Sequence, residues 1–205
     1  MPRAGVSAAR SSGAHTPAPR SSARPSRPAN TPVGVPAGFG RAGIVLGVNE
    51  DPDPPTIFEW GGGREAFERW LNRFYDLIES EAPDIAALFG GTVSTEHRVH
   101  VTDWWVEVMG GPATYTHQRG GYEHMLAEHK NLSITPEQRL AFVTLLSRAA
   151  DDAGLPDDPE FRAAIIGYAE WGSRLAAHNS RPGAAVVEQA PVPRWGWGVA
   201  PPYQP

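Results

Sequence analysis

Between residues 56 and 179 the apolar side chains recur at spacings of three and four, and no useful stretch alternates at two. That periodicity constrains the fold more than any other feature, because it builds apolar stripes on helices and leaves nothing to make a sheet from. The clearest stretch is "REAFERWLNRFYDLIESE". Phe67, Trp70, Leu71, Phe74, Leu77 and Ile78 share one face there, along an amphipathic helix of about four turns. "GGG" at 61–63 breaks the chain just before it. A second helix is expected in "STEHRVHVTDWWVEVM", capped by Ser94 or Thr95, with His97, Val101, Trp104, Trp105 and Val108 along one side. "GGP" at 110–112 ends it. A short helical piece follows from about Tyr122 to Glu128. "TPEQRLAFVTLLSRAADDAGL" opens with Thr135 as cap and Pro136 at the first helical position. "DPEFRAAIIGYAEWGSRLAAH" is capped near Asp158. The expectation is one all-α domain over residues 56–179, with about five helices.

The flanks read differently. Residues 1–55 are rich in Pro, Gly, Ala, Ser and Arg, and "SARPSRPANTPVGVPAGFGRAG" has no period. Such a stretch cannot bury enough apolar surface to offset its ordering entropy, so a disordered tail is expected. A transit peptide and a misassigned start codon are the other readings of this stretch. Residues 180–205 form a second tail that ends in "PVPRWGWGVAPPYQP". Trp195 and Trp197 there either dock on the domain or anchor a partner.

Charge follows the same division. Residues 56–179 carry 10 Lys/Arg and 19 Asp/Glu, a net of −9, whereas the tails carry 8 and 4, a net of +4. An acidic domain repels phosphate backbones, so nucleic acid is not an expected partner. The chain has no cysteine, which excludes disulfides and thiolate metal sites and fits a reducing cytoplasm. No apolar run approaches the ~18 residues a membrane helix needs, and the N-terminus lacks a signal-peptide core.

Enzyme motifs are sparse. The chain contains no Walker loop, no dinucleotide fingerprint, no Gly-x-Ser-x-Gly elbow and no His-Glu-x-x-His. What remains is histidine in an aromatic, apolar setting. Each such residue has a plain explanation: His97 and His129 as boundary residues, Tyr75 as core with a buried hydroxyl.

Together they resemble something more specific. "RFYDLIESEAPDIAALF", then "EHRVHVTDWWVEVMGGPATYTHQRGG", then "HMLAEHKNLSITPEQRLAFV" resembles the truncated haemoglobins, most closely their second group. The resemblance covers roughly residues 56–178. Its ordered landmarks are Phe74-Tyr75, the "GGP-x-x-Tyr" at 110–115, and His129 followed by Ile134 and a helix opening with Pro136, Glu137 and Arg139 in a Pro-Glu-x-Arg run.

The resemblance implies a truncated globin-like two-over-two helical sandwich holding haem b. Under it His129 is the proximal iron ligand, with His124 as the rival. Tyr75 and His97 are distal residues facing the bound gas. Phe89, Val101, Trp104, Trp105 and Phe142 line the haem pocket. Phe142 stands where the second group usually carries tryptophan, which removes an indole donor that His97 can replace. Arg98, His100, Arg119 and Lys130 are candidate propionate contacts, though each also reads as a solvated polar residue. His97 can also bind the iron directly. A neutral imidazole is a suitable axial ligand, and nearby donors stabilise a polar diatomic ligand. The implied ligands are oxygen, nitric oxide and carbon monoxide. The implied task is reversible oxygen binding, with nitric oxide dioxygenation or peroxide chemistry as further readings that need a separate reductase. Two rivals stay open: a helical protein holding a divalent metal on His97, His100 and His124 or His129, and a cofactor-free helical interaction module.

Overall fold

The computed structural model describes residues 53–187 and 189–198. All but the last three residues of the expected N-terminal tail lie outside them. Regular structure among the described residues is entirely helical: α1 Ile57–Trp60, α2 Gly63–Glu81, α3 Pro83–Ala86, α4 Thr95–Val108, α5 Thr114–Arg119, α6 Gly121–His129, α7 Pro136–Asp152 and α8 Pro159–Asn179. A 3₁₀ turn, Ala87–Phe89, follows α3. The five expected helices are α2, α4, α6, α7 and α8. The short α1, α3 and α5 are additions to that expectation.

The caps follow the sequence. Ser94 accepts a hydrogen bond from the His97 N–H, and Asp158 accepts one from the Phe161 N–H. Thr135 and Gln138 form a capping box at the start of α7, with Pro136 in the first turn. Thr56 and Glu59 form another around α1: Glu59 N–H donates to Thr56 Oγ1 over 3.1 Å, and Thr56 N–H to Glu59 Oε2 over 2.8 Å.

Helix α2 packs against α4 and against α7, and α7 packs against α8. These two pairs, α2 with α4 and α7 with α8, form the two-over-two sandwich. The expected apolar face of α2 is fully buried at the junction. Trp70 sits at its centre, edge-on to Phe67 and Trp105, and its indole N–H donates to the Leu146 carbonyl of α7 over 2.9 Å. Trp60 of α1 donates its indole N–H to Asp158 over 2.9 Å, tying the first helix to the start of the last.

Helix α4 departs from its expected one-sided stripe. Every residue from Thr102 to Met109 is buried, including Asp103 and Glu107. It is buried all round because neighbours also cover its polar face. Asp103 is clamped by Arg64 at 2.8 Å and Arg119 at 3.2 Å, so the buried carboxylate is paired. Glu107 accepts from both the backbone N–H and the hydroxyl of Thr116 in α5. Gly110, at φ +95°, lets the chain leave α4 hard against Thr56. No helix among the described residues is long and apolar enough to cross a membrane.

Candidate functional site

The two layers enclose a cleft with about 1040 Å³ of space free of protein atoms, its open mouth included. The 3₁₀ turn gives it Leu88 and Phe89, α4 gives Trp104 and Trp105, and α6 gives Met125 and His129. Helix α7 adds Gln138, Arg139 and Phe142, and α8 adds Tyr168 and Trp171. The wall is mostly aromatic and aliphatic with few polar atoms, which suits a large, flat, apolar ligand.

His129 is the last residue of α6 and half-buried. Its Nδ1–H donates to the Met125 carbonyl one turn back, over 2.8 Å. A carbonyl can only accept, so in the neutral ring this bond fixes the tautomer and leaves the lone pair on Nε2. The next segment is held in an unusual backbone. Asn131 and Ser133 adopt left-handed conformations at φ 64° and 54°. Ser180, fully buried at the end of α8, pins them: its carbonyl accepts from Ser133 N–H, and its hydroxyl from Ile134 N–H, each over 3.0 Å. The loop behind His129 is thereby tied to the last helix.

Tyr75 and His97 meet across α2 and α4. Tyr75 Oη and His97 Nε2 share a hydrogen bond of 3.1 Å, with either group able to donate. Burial pushes the Tyr75 hydroxyl well above its ordinary range, so it keeps its proton. Burial, and then the neighbouring His100, hold His97 below its ordinary 6.5. Both rings pack on Phe89, Tyr75 at 5.9 Å and His97 at 4.9 Å. The pair therefore stands behind Phe89, which forms the cleft wall in front of it. Val101 packs half-buried against the core and is not part of that wall.

The expected propionate contacts are dispersed. Arg98 is engaged by Asp76 and Glu79 of α2, at 2.8 and 2.9 Å, and locks α4 to α2. Arg119 serves Asp103. Lys130 is exposed beside the cleft, outside its wall. His100 faces His124, with ring centroids 6.4 Å apart. The rival His124 also packs near Tyr115, at 6.2 Å, and is outside the cleft wall that includes His129. Burial pushes the Tyr115 hydroxyl up to about 12. Among the described residues no group of three or more His, Cys, Asp or Glu could hold a metal ion, which removes the geometric basis of the three-histidine rival.

Several wall residues have no cleft role assigned from the sequence. Arg139 is the cation that does line the cleft, where it pairs with Glu170. Tyr168 accepts the Trp104 indole N–H over 2.7 Å, while Trp105 packs on the Tyr168 ring at 4.9 Å. Only the spacing of Arg139 three residues before Phe142, on the same face of α7, signalled any of these.

The bacterial-like globin family profile matches residues 56–167. No curated protein matches the chain. Among solved structures, the group II truncated haemoglobin from Bacillus anthracis is 26% identical, with a TM-score of 0.55 over 63% of this chain and 95% of that one. The haemoglobin from Chloroflexus aurantiacus is 28% identical, with a TM-score of 0.52 over 60% and 97%. The group II 2-on-2 haemoglobin from Agrobacterium tumefaciens shares the fold at 22% identity, with a TM-score of 0.52 over 64% and 98%. A profile match across more than half the chain, from α1 into the first half of α8, makes the protein a member of the bacterial-like globin family, which implies a haem cofactor.

Proposed function

We propose that the protein binds haem b in the cleft through His129 and uses it to bind oxygen reversibly. The observation carrying this reading is the His129–Met125 hydrogen bond, which presents an oriented imidazole lone pair in an apolar, aromatic cleft. Haem, when bound, supplies an iron centre able to take up a diatomic gas. The protein's own residues do the rest. Phe89, Trp104 and Phe142 exclude water and grip a flat ring. Arg139 offers a cation to a propionate in exchange for part of its pairing with Glu170. Tyr75 and His97 are the distal donors, brought into play by a rotation of Phe89. Nitric oxide and carbon monoxide are further ligands of the same site. Nitric oxide dioxygenation and peroxide chemistry would call on a separate reductase.

The test is reconstitution. Purified protein given haem should show a sharp band near ~410 nm that shifts on reduction and again with carbon monoxide, because axial ligation sets the spectrum. The His129→Ala variant should lose haem, and His124→Ala should keep it. The reverse pattern would move the ligand to His124, and a protein that takes up no haem would end the reading.

A further inference from the structure

Residues 189–198 run back across the helices and reach the cleft. Val192 is buried, and Pro193 is part of the cleft wall. The Trp195 N–H donates to the Val108 carbonyl, at the end of α4, over 2.8 Å. The Trp195 ring packs on Tyr168 at 5.5 Å and on Trp171 at 5.8 Å, and both of those rings line the cleft. Two residues on, Trp197 donates its indole N–H to the Pro55 carbonyl over 2.7 Å and meets Trp60 edge-on at 6.1 Å. The segment is therefore pinned on both sides of Pro193. The family match ends at residue 167, so the whole segment lies beyond it.

We infer that this segment is a built part of the cofactor site: a strap whose Pro193 lines the wall and whose Trp195 backs the wall residues Tyr168 and Trp171, and which thereby sets how long haem is retained. The inference rests on the haem reading above. Trp195 acts as a positioning residue. It packs on the ring of Tyr168, and Tyr168 in turn accepts the Trp104 indole N–H, which joins α8 to α4. Without Trp195, the buried Tyr168 loses the ring packed on it, the already exposed Trp171 loses a neighbour, and the packing behind the wall gains a gap. Close-packed interiors do not refill such a gap without a shift of neighbours. Water then reaches the cleft, and an apolar ligand leaves more readily.

The test compares full-length variants by the rate at which haem passes to an excess of a haem-free acceptor protein, well below the melting temperature. Trp195→Ala and Pro193→Gly should lose haem faster, Trp195→Ala by roughly tenfold or more, the scale of one lost buried aromatic contact. Trp195→Phe should restore much of the retention. Trp197→Ala removes a comparable aromatic contact away from the cleft, so it should lower thermal stability with a smaller effect on haem loss. A segment that merely covers surface would make Trp195→Ala and Trp197→Ala alike in both measurements, and that result overturns the inference. If Trp195→Ala does not fold by circular dichroism, Pro193→Gly and Trp195→Phe carry the comparison. Binding of anilinonaphthalene sulfonate to the haem-free protein gives a second readout, which Trp195→Ala should change and Trp197→Ala should leave near wild type. Wild type that holds haem, with Trp195→Ala losing it at the same rate, overturns the strap alone. Wild type that takes up no haem overturns the haem reading. The strap then stands or falls on the dye.

Discussion

Tyr75 and His97 satisfy each other's polar atoms behind Phe89, between α2 and α4. The bond has a consequence for gas release and one for stability. Under the proposed haem reading Tyr75 is a distal donor, so Tyr75→Phe should let oxygen leave the haem-loaded protein roughly tenfold faster, the order expected for one hydrogen bond. Stopped-flow measurement of the release rate checks this. His97 is held below its ordinary 6.5 by burial, so the fold keeps it neutral. Its contribution is fully present above pH 6.5 and is lost as pH falls through 6.5 towards the folded value, because the unfolded chain takes up the proton first. Urea unfolding of the haem-free protein at pH 7.5 and 5.5 should show that His97→Gln flattens this loss. Some residues at this scale were legible in the sequence and others were not. The position of His129 at the end of a short helix was, because its loop and the helix start at Pro136 follow in order, and it does line the cleft. Arg98 was legible as a cation near the site but not as a helix clamp, because Asp76 and Glu79 reach it only once α2 and α4 are packed.

Among the elements, the long helices were readable because each carries an apolar stripe and a polar cap. The short ones were not read. For α1 the signal was present as the Thr56 and Glu59 capping box, but four residues are too few for a period to show. The sequence of α4 predicts a one-sided stripe, yet its Thr102–Met109 stretch is buried all round. Periodicity reports one partner face, and α4 has several. Its exit at Gly110 is tightly packed on a left-handed backbone. A Cβ there would lie 2.8 Å from the Thr56 Cβ, on a backbone already at φ +95°. Gly110→Ala should therefore destabilise by about 2 kcal/mol or more. Gly91 has the same φ of +95° but nothing within 4 Å of a Cβ. Gly91→Ala should cost only about 1 kcal/mol, the backbone part alone. Urea midpoints of the two variants separate strain from clash; equal losses would mean that the Thr56 contact yields freely.

At the scale of the whole molecule, the two layers meet at Trp70, whose indole bridges α2 to the Leu146 carbonyl of α7. Trp70→Phe keeps an aromatic ring but leaves a void and an unmade hydrogen bond, at a cost of about 2 kcal/mol. Leu140, 61% exposed on α7, is the control: Leu140→Ala should stay within ~0.5 kcal/mol. Denaturant unfolding measures both. The cleft between the layers was legible only in part. Phe89, Trp104, Trp105, His129 and Phe142 do line it, whereas Tyr168, Trp171 and Pro193 arrive through the return path of the chain, which no local pattern encodes. That return path brings Trp197 to the carbonyl of Pro55, 142 residues away. The two ends of the described chain touch, so the fold is nearly a closed ring. In a ring the order of the helices matters and the place of the cut does not. A chain permuted to begin at the exposed Gly91, with residues 55 and 197 joined by a short linker, would inherit every contact of the core.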